Sequence, residues 1–132
     1  MIKKIDHIGI VVRDVEQAAD IYRNGLGLQY LRTEHNEDFH CKIAFLQCGD
    51  VLIELIEPTG DGPSMQFLET QGEGLHHVCY EVDDIHKALA HAKENLETDY
   101  DAPKVGAGDS RVFFLNASSV CSVETEFVEL KK

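Results

Sequence analysis

The chain has 132 residues, with 12 basic against 24 acidic side chains and a formal net charge of -12. This length suits about one domain, and the acidic balance predicts no nucleic-acid or membrane partner, because both need clustered Lys or Arg. The four cysteines lack metal-type spacing, no apolar run reaches the roughly 18 residues of a membrane span, and no signal peptide is apparent, so we expect a reduced, cytoplasmic protein.

The first predicted element is a buried strand over residues 5–12, rich in Ile and Val and interrupted by His7 and Gly9. Asp14 then predicts a helix cap, and apolar residues recur at three- and four-residue steps as far as Leu26. A strand over residues 28–33 and a polar loop over 34–40 follow. A single histidine inside such a strand is more often a hydrogen-bonded core residue than a metal ligand.

The next two strands, over residues 42–47 and 51–56, are predicted to form a hairpin through the glycine-containing connection at 48–50. Glu54 interrupts the apolar residues of the second strand. A carboxylate buried there without a partner would cost several kcal/mol, so its presence requires an explanation. A turn-rich segment over residues 58–63 then separates two halves of the chain.

The second half repeats the first. Residues 5–18 align with residues 75–88, which pairs His7 with His77 and places Asp84 as the second helix cap. The predicted elements are a strand over 75–82, a helix with one apolar face, a glycine loop over 105–110, and strands over 111–115 and 124–130. The closing strand places Glu129 before a leucine, as Glu54 is placed in the first half. The repeat therefore predicts one histidine and one glutamate from each half.

Two imidazoles and two carboxylates on four strands predict a site for one divalent metal ion, with cobalt, zinc, nickel and manganese as the candidates. A metal would remove the cost of burying the carboxylates. His76 adjoins His77 but points to the opposite face of a regular strand, so His77 is the predicted ligand. The predicted ligand set is His7, Glu54, His77 and Glu129.

Four blocks of the sequence, residues 5–12, 53–58, 74–85 and 105–115, resemble the vicinal oxygen chelate superfamily of glyoxalases, bleomycin-resistance proteins and dioxygenases. Within it, they are most similar to the methylmalonyl-CoA epimerase family. The resemblance implies an α+β fold in which two βαβββ modules form a half-barrel of mixed sheet around a metal-binding cleft. We expect a single domain over residues 1–132, with modules at about 3–60 and 73–131, and the resemblance also implies a homodimer.

The implied function is that of a divalent-metal-dependent epimerase, an isomerase that removes an α-proton from a metal-chelated acyl thioester. Glu129, or else Glu54, is the expected base. One alternative is a lactoylglutathione lyase (glyoxalase) acting on a hemithioacetal. A second is a metal-free protein that sequesters a drug, and a ring-cleaving dioxygenase is less favoured. One departure from the epimerase pattern is that residues 41–45 carry Lys42 and no acid, where bacterial epimerases are thought to have one of two catalytic glutamates.

Lys104 and Arg111 flank the glycine loop and are the predicted substrate-binding cations. A coenzyme A ester brings phosphates to a strongly acidic protein, so its binding needs local positive charge. The alternative interpretation of this loop is an ordinary turn between strands, because no strand-then-helix context accompanies its glycines.

Overall fold

The computed structural model describes residues 1–131, which form two compact units. One unit comprises residues 7–76, and the other comprises residues 1–6 with the chain from His77 onward. Strand β1 (Ile2–Val11) contributes residues to both units. No helix among the described residues is long and apolar enough to span a membrane.

The first module lies in the unit of residues 7–76, except for the start of β1. After β1 come helix α1 (Val15–Asp20), strands β2 (Gln29–Asn36), β3 (Cys41–Cys48) and β4 (Val51–Pro58), and then helix α2 (Pro63–Gln71). The strand order is β2-β3-β4-β1; β4 is parallel to β1, and the other neighbours are antiparallel.

The second module has the same plan. Strand β5 (Gly74–Val82) is followed by helix α3 (Ile85–Asn95) and by strands β6 (Lys104–Val105), β7 (Arg111–Leu115) and β8 (Glu124–Glu129). Their order is β5-β8-β7-β6, and β8 is parallel to β5. Each module is therefore βαβββ with its last strand beside its first, which confirms the predicted α+β class and its two modules.

Each module buries its helix against one face of its own strands. In the first, Val15 and Ala18 of α1 pack with Ala44, Leu46 and Leu55. In the second, the α3 residues Ile85, Leu89 and Ala92 pack with Phe113 and Leu115. Because strand side chains alternate between faces, the intervening residues, including Glu54 and Glu126, lie on the face opposite the helix.

The first helix differs from its prediction. It ends at Asp20, Ile21–Gly25 continues as a π-helical turn, and Leu26 is 65% exposed instead of belonging to the buried stripe. Gly27, with φ of +82°, adopts a left-handed conformation that favours glycine. Helix α3 keeps the predicted apolar face, and Asp84 caps it by accepting hydrogen bonds from the backbone N–H groups of His86 and Lys87.

Candidate metal centre

His7 and Glu54 form a buried pair in the first module. Parallel strands β1 and β4 bring them together, with Gly9 directly opposite Glu54 in the register. His7 Nδ1 lies 3.1 Å from Glu54 Oε2, and the two residues are only 7% and 9% exposed. An imidazole and a carboxylate thus share one buried position on the face opposite α1.

His77 and Glu126 form the equivalent pair in the second module. His77 Nε2 lies 3.3 Å from Glu126 Oε1, and these residues are also 7% and 9% exposed. Phe114 is the cross-strand neighbour of Glu126, and its ring packs edge-on against His77 at a centroid distance of 5.9 Å. Both modules therefore hold a histidine from the first strand against a glutamate from the last.

The chemistry of these pairs fits a divalent cation. A buried carboxylate is costly unless it is paired, and imidazole nitrogen with carboxylate oxygen is a donor set that suits zinc, cobalt, nickel and manganese. The structure brings His7 to Glu54 and His77 to Glu126, each pair within its own unit.

Glu129, one of the predicted ligands, lies on the other face of β8 from Glu126. It is three residues from Glu126 on β8, and strand residues an odd number of positions apart point to opposite faces. Glu129 Oε1 accepts a hydrogen bond of 2.9 Å from the backbone N–H of Ile85, at the start of α3. Glu57 does the same in the first module, accepting from Val15 N–H at 2.9 Å. Glu129 therefore supports a helix, and Glu126 takes its place beside the histidine.

Two further ionisable groups adjoin the pairs. Burial, and secondly the charge of Glu54, raises the pKa of the Cys41 thiol from 9.0 to about 11. Burial, and secondly the charge of Glu126, raises the pKa of the Tyr100 phenol. Both groups therefore keep their protons at neutral pH, each within the electric field of a paired glutamate.

The two predicted substrate-binding cations lie on different faces of the second module. Lys104 is opposite Val112 in the β6–β7 register, and its Nζ lies 4.9 Å from the Tyr100 ring centroid. Arg111, the residue before Val112, points the other way, and its Nη1 donates to the backbone carbonyls of Asp109 and Ser110. The glycine loop thus uses Arg111 to hold its own backbone, and Lys104 alone lies on the face of Glu126.

Sequence reasoning missed Glu126, Tyr100 and Phe114. Glu126 had a readable signal, since both closing strands carry two glutamates three residues apart, Glu54 with Glu57 and Glu126 with Glu129. Tyr100 and Phe114 carried no such signal, because only the register of β7 sets Phe114 opposite Glu126, and only the path of the chain before β6 brings the Tyr100 ring to Phe114.

The family model of the Glyoxalase/Bleomycin resistance protein/Dioxygenase superfamily matches residues 6–114. The chain therefore belongs to that superfamily, as the four sequence blocks predicted.

Within the superfamily, its relatives include methylmalonyl-CoA epimerases, which are enzymes. The ethylmalonyl-CoA/methylmalonyl-CoA epimerase of Cereibacter sphaeroides is 37% identical over 134 residues, covering 97% of this chain and 100% of that protein. The mitochondrial methylmalonyl-CoA epimerase of Dictyostelium discoideum is 32% identical, covering 97% and 79%. A solved structure of a variant of Streptomyces coelicolor methylmalonyl-CoA epimerase, in complex with 2-nitronate-propionyl-CoA, matches with a TM-score of 0.90 at 30% identity and 100% coverage of both chains.

Proposed function

We propose that this chain is a divalent-metal-dependent epimerase that acts on the α-carbon of an acyl-CoA thioester of the methylmalonyl type. The observation that carries the proposal is the buried histidine–glutamate pair, present once in each module on the face opposite the helix. Similarity to the epimerases over nearly the whole chain supports the substrate class.

The residues that we propose as metal ligands are His7 with Glu54 in the first module and His77 with Glu126 in the second. Cobalt, zinc, nickel and manganese all suit two imidazoles and two carboxylates. When bound, the metal supplies Lewis-acid stabilisation of the negative charge that develops on the substrate oxygens. This assignment keeps three of the ligands proposed from sequence and replaces Glu129 by Glu126.

The carboxylates of Glu126 and Glu54 are the groups that we propose for moving the α-proton. A carboxylate on the site face accepts a proton where it is needed, whereas Glu129 is engaged with the backbone of α3. An epimerase has to remove the proton from one face of the carbon and return one to the other face, which requires a group that accepts a proton and a group that donates one.

We propose that Lys104 of the second module binds the anionic part of the substrate, because Lys104 lies on the same face as Glu126. Arg111 is left out of this role. The further proposals are a homodimer, which sedimentation at micromolar concentration would test, and a cytoplasmic location, which stays a prediction.

Deuterium exchange tests the reaction. The cobalt-loaded protein is offered methylmalonyl-CoA in deuterated water and, separately, the hemithioacetal of methylglyoxal and glutathione. We expect α-deuterium incorporation into the thioester and no S-lactoylglutathione. The opposite result would identify a glyoxalase instead, and exchange that survives exhaustive chelation would contradict the metal requirement.

A metal-free sequestering protein is the second alternative that an experiment can exclude. Equilibrium dialysis with bleomycin, before and after chelation, measures whether the chain binds a drug without metal. We expect no drug binding under either condition, and binding that is unchanged by chelation would identify a sequestering protein instead.

A further inference from the structure

A row of three side chains crosses the first module from the metal-binding pair to a cation. The strand register sets Glu54 opposite Phe45 and Phe45 opposite Arg32, so the three residues are lateral neighbours on β4, β3 and β2. The guanidinium carbon of Arg32 lies 4.3 Å from the centroid of the Phe45 ring. Two strand spacings, about 10 Å, therefore separate the backbone of Arg32 from that of Glu54.

A β-bulge places Arg32 on this face. The β2–β3 register shifts between Tyr30 and Arg32, and Tyr30 packs with the hydrophobic core under α1. In a regular strand, residues two apart share a face, so Arg32 would follow Tyr30 towards the helix. The extra residue, Leu31, turns Arg32 to the face of Glu54, and bulges of this kind commonly redirect a functional side chain.

The second module repeats the row with different residues. Glu126 is opposite Phe114, whose ring lies 6.3 Å from that of Tyr100, and Lys104 lies over Tyr100. Each module thus has a buried histidine–glutamate pair, an aromatic neighbour and a cation over an aromatic ring, although in the second module Tyr100 precedes β6 and Lys104 is opposite Val112.

We propose that Arg32 is a substrate-positioning residue that binds an anionic oxygen group of the thioester, an inference that rests on the proposed epimerase function. Glu34 pairs with Nε and Phe45 packs on the guanidinium plane, so two contacts fix the orientation of the group. The remaining Nη edge is the part of arginine that hydrogen-bonds a carboxylate or a phosphate in a bidentate manner. The ligand group is a carboxylate on the acyl part or a phosphate of coenzyme A.

The competing interpretation is a solvated surface ion pair, since the Arg32 and Glu34 side chains are 54% and 49% exposed. Such pairs contribute little to stability. The small contribution of the ion pair to folding stability therefore does not explain why a bulge turns Arg32 onto the Phe45 ring, next to Glu54. In a chain of net charge -12, a cation held on this face offsets the repulsion that an anionic substrate meets.

Arg32→Ala tests the proposal, with Arg13→Ala as the matched control. Arg13 is also an exposed arginine that pairs with a glutamate, Glu73, in the same unit, so both variants change the net charge equally. Calorimetric binding and steady-state kinetics with methylmalonyl-CoA are the measurements. We expect Arg32→Ala to raise Kd and KM about tenfold with kcat within twofold, Arg32→Lys to recover part of the loss, and Arg13→Ala to stay within twofold of the original protein.

Two further thioesters separate the possible ligand groups. If the loss persists with the methylmalonyl thioester of N-acetylcysteamine, which has no phosphates, Arg32 binds the carboxylate. If it persists with propionyl-CoA, which has no free carboxylate, Arg32 binds phosphate. Equal binding by Arg32→Ala and the unchanged protein for all three thioesters would overturn the proposal. A wild-type protein that binds none of them would instead overturn the epimerase function, and this inference with it. Arg32→Gln serves as the second variant if Arg32→Ala lowers the melting temperature.

Discussion

Glu126 and Glu129 share strand β8, but one contacts His77 and the other contacts the start of α3. Glu126→Gln removes a proposed anionic ligand, so we expect at least a tenfold loss of metal affinity with little change in the fold. Glu129→Gln weakens the hydrogen bond to Ile85 N–H and should cost about 1 kcal/mol of unfolding free energy while metal affinity is kept. Metal titration and urea unfolding of both variants measure the two effects.

Glu54 and Glu57 form the matched pair in the first module, since Glu54 contacts His7 and Glu57 contacts Val15 N–H. We expect Glu54→Gln, like Glu126→Gln, to lower metal affinity at least tenfold. Glu57→Gln, like Glu129→Gln, should lower the unfolding free energy and keep the metal affinity. If Glu129→Gln were the variant that lost metal and Glu126→Gln bound it normally, the placement of the site on this face of β8 would be wrong.

The thiols offer a second test at the scale of single residues. Cys41 and Cys79 are buried, whereas Cys48 and Cys121 are exposed. A thiol reacts as its thiolate, and Cys41, with a pKa of about 11, stays protonated at pH 8. We expect an aromatic disulfide reagent to label two thiols quickly and two slowly at pH 8, with peptide mapping placing the fast pair at Cys48 and Cys121. Fast labelling of Cys41 in the folded protein would contradict its environment.

Among the elements, the repeated strand was the most predictable, because its histidine, its valine and its capping aspartate recur together in both halves. The glutamates of the closing strands were less predictable from the sequence. Glu129 was matched to Glu54 by the leucine that follows each, yet aligning residues 53–58 with 125–130 pairs Glu54 with Glu126 and Glu57 with Glu129. Side chains on a strand return to the same face every two residues, so an alignment displaced by three residues selects a side chain on the opposite face.

Other features had no local signal in the sequence. The short strand β6 has two residues, and the bulge before Arg32 depends on how β2 pairs with β3. Both depend on the register in which consecutive strands pair, which the sequence of either strand alone does not give. The sequence pattern therefore predicted most strands and α3, whereas the aromatic and cationic neighbours of the histidine–glutamate pairs required the register.

The loop between β6 and β7 gives a prediction at the element scale. A Cβ added to Gly106 would lie 2.8 Å from Ser110 Oγ and 2.9 Å from Val112 Cγ1, closer than such atoms approach. Gly106 N–H also donates to the Ser110 carbonyl, which closes the loop. We expect Gly106→Ala to lower the unfolding free energy by about 1–3 kcal/mol, measured by urea unfolding.

Because Gly106 follows Lys104 and Val105, the same variant should also raise KM for the CoA ester by displacing the Lys104 side chain. Val105→Ala is the control, since this exposed side chain can be shortened without a steric conflict. A Gly106→Ala protein with the original stability would show that the loop adjusts freely and does not fix the position of Lys104.

At the scale of the whole molecule, the duplication permits two metal stoichiometries. Each module has its own histidine–glutamate pair, so the chain would bind two ions if each pair acted alone, and one ion if both pairs contribute to a single site. Two protein ligands are few for a tightly held ion, because zinc sites in proteins use three or four side chains, more than one histidine–glutamate pair supplies. We therefore expect one ion per chain by mass spectrometry of the native protein.

Histidine variants decide between these stoichiometries. With one shared ion, both His7→Ala and His77→Ala abolish binding; with two independent ions, each variant keeps one.

A metal that binds only the folded chain also stabilises it, by about 2.7 kcal/mol at a concentration 100 times its Kd, or about 10 °C in melting temperature for a chain of this size. Scanning calorimetry with and without cobalt should show this shift in the unchanged protein and no shift in His7→Ala or His77→Ala. His91→Ala is the control and should keep the shift, because the His91 side chain is 83% exposed. A shift that survives in either His7→Ala or His77→Ala would show that the modules bind metal independently and would contradict the expected stoichiometry of one ion per chain.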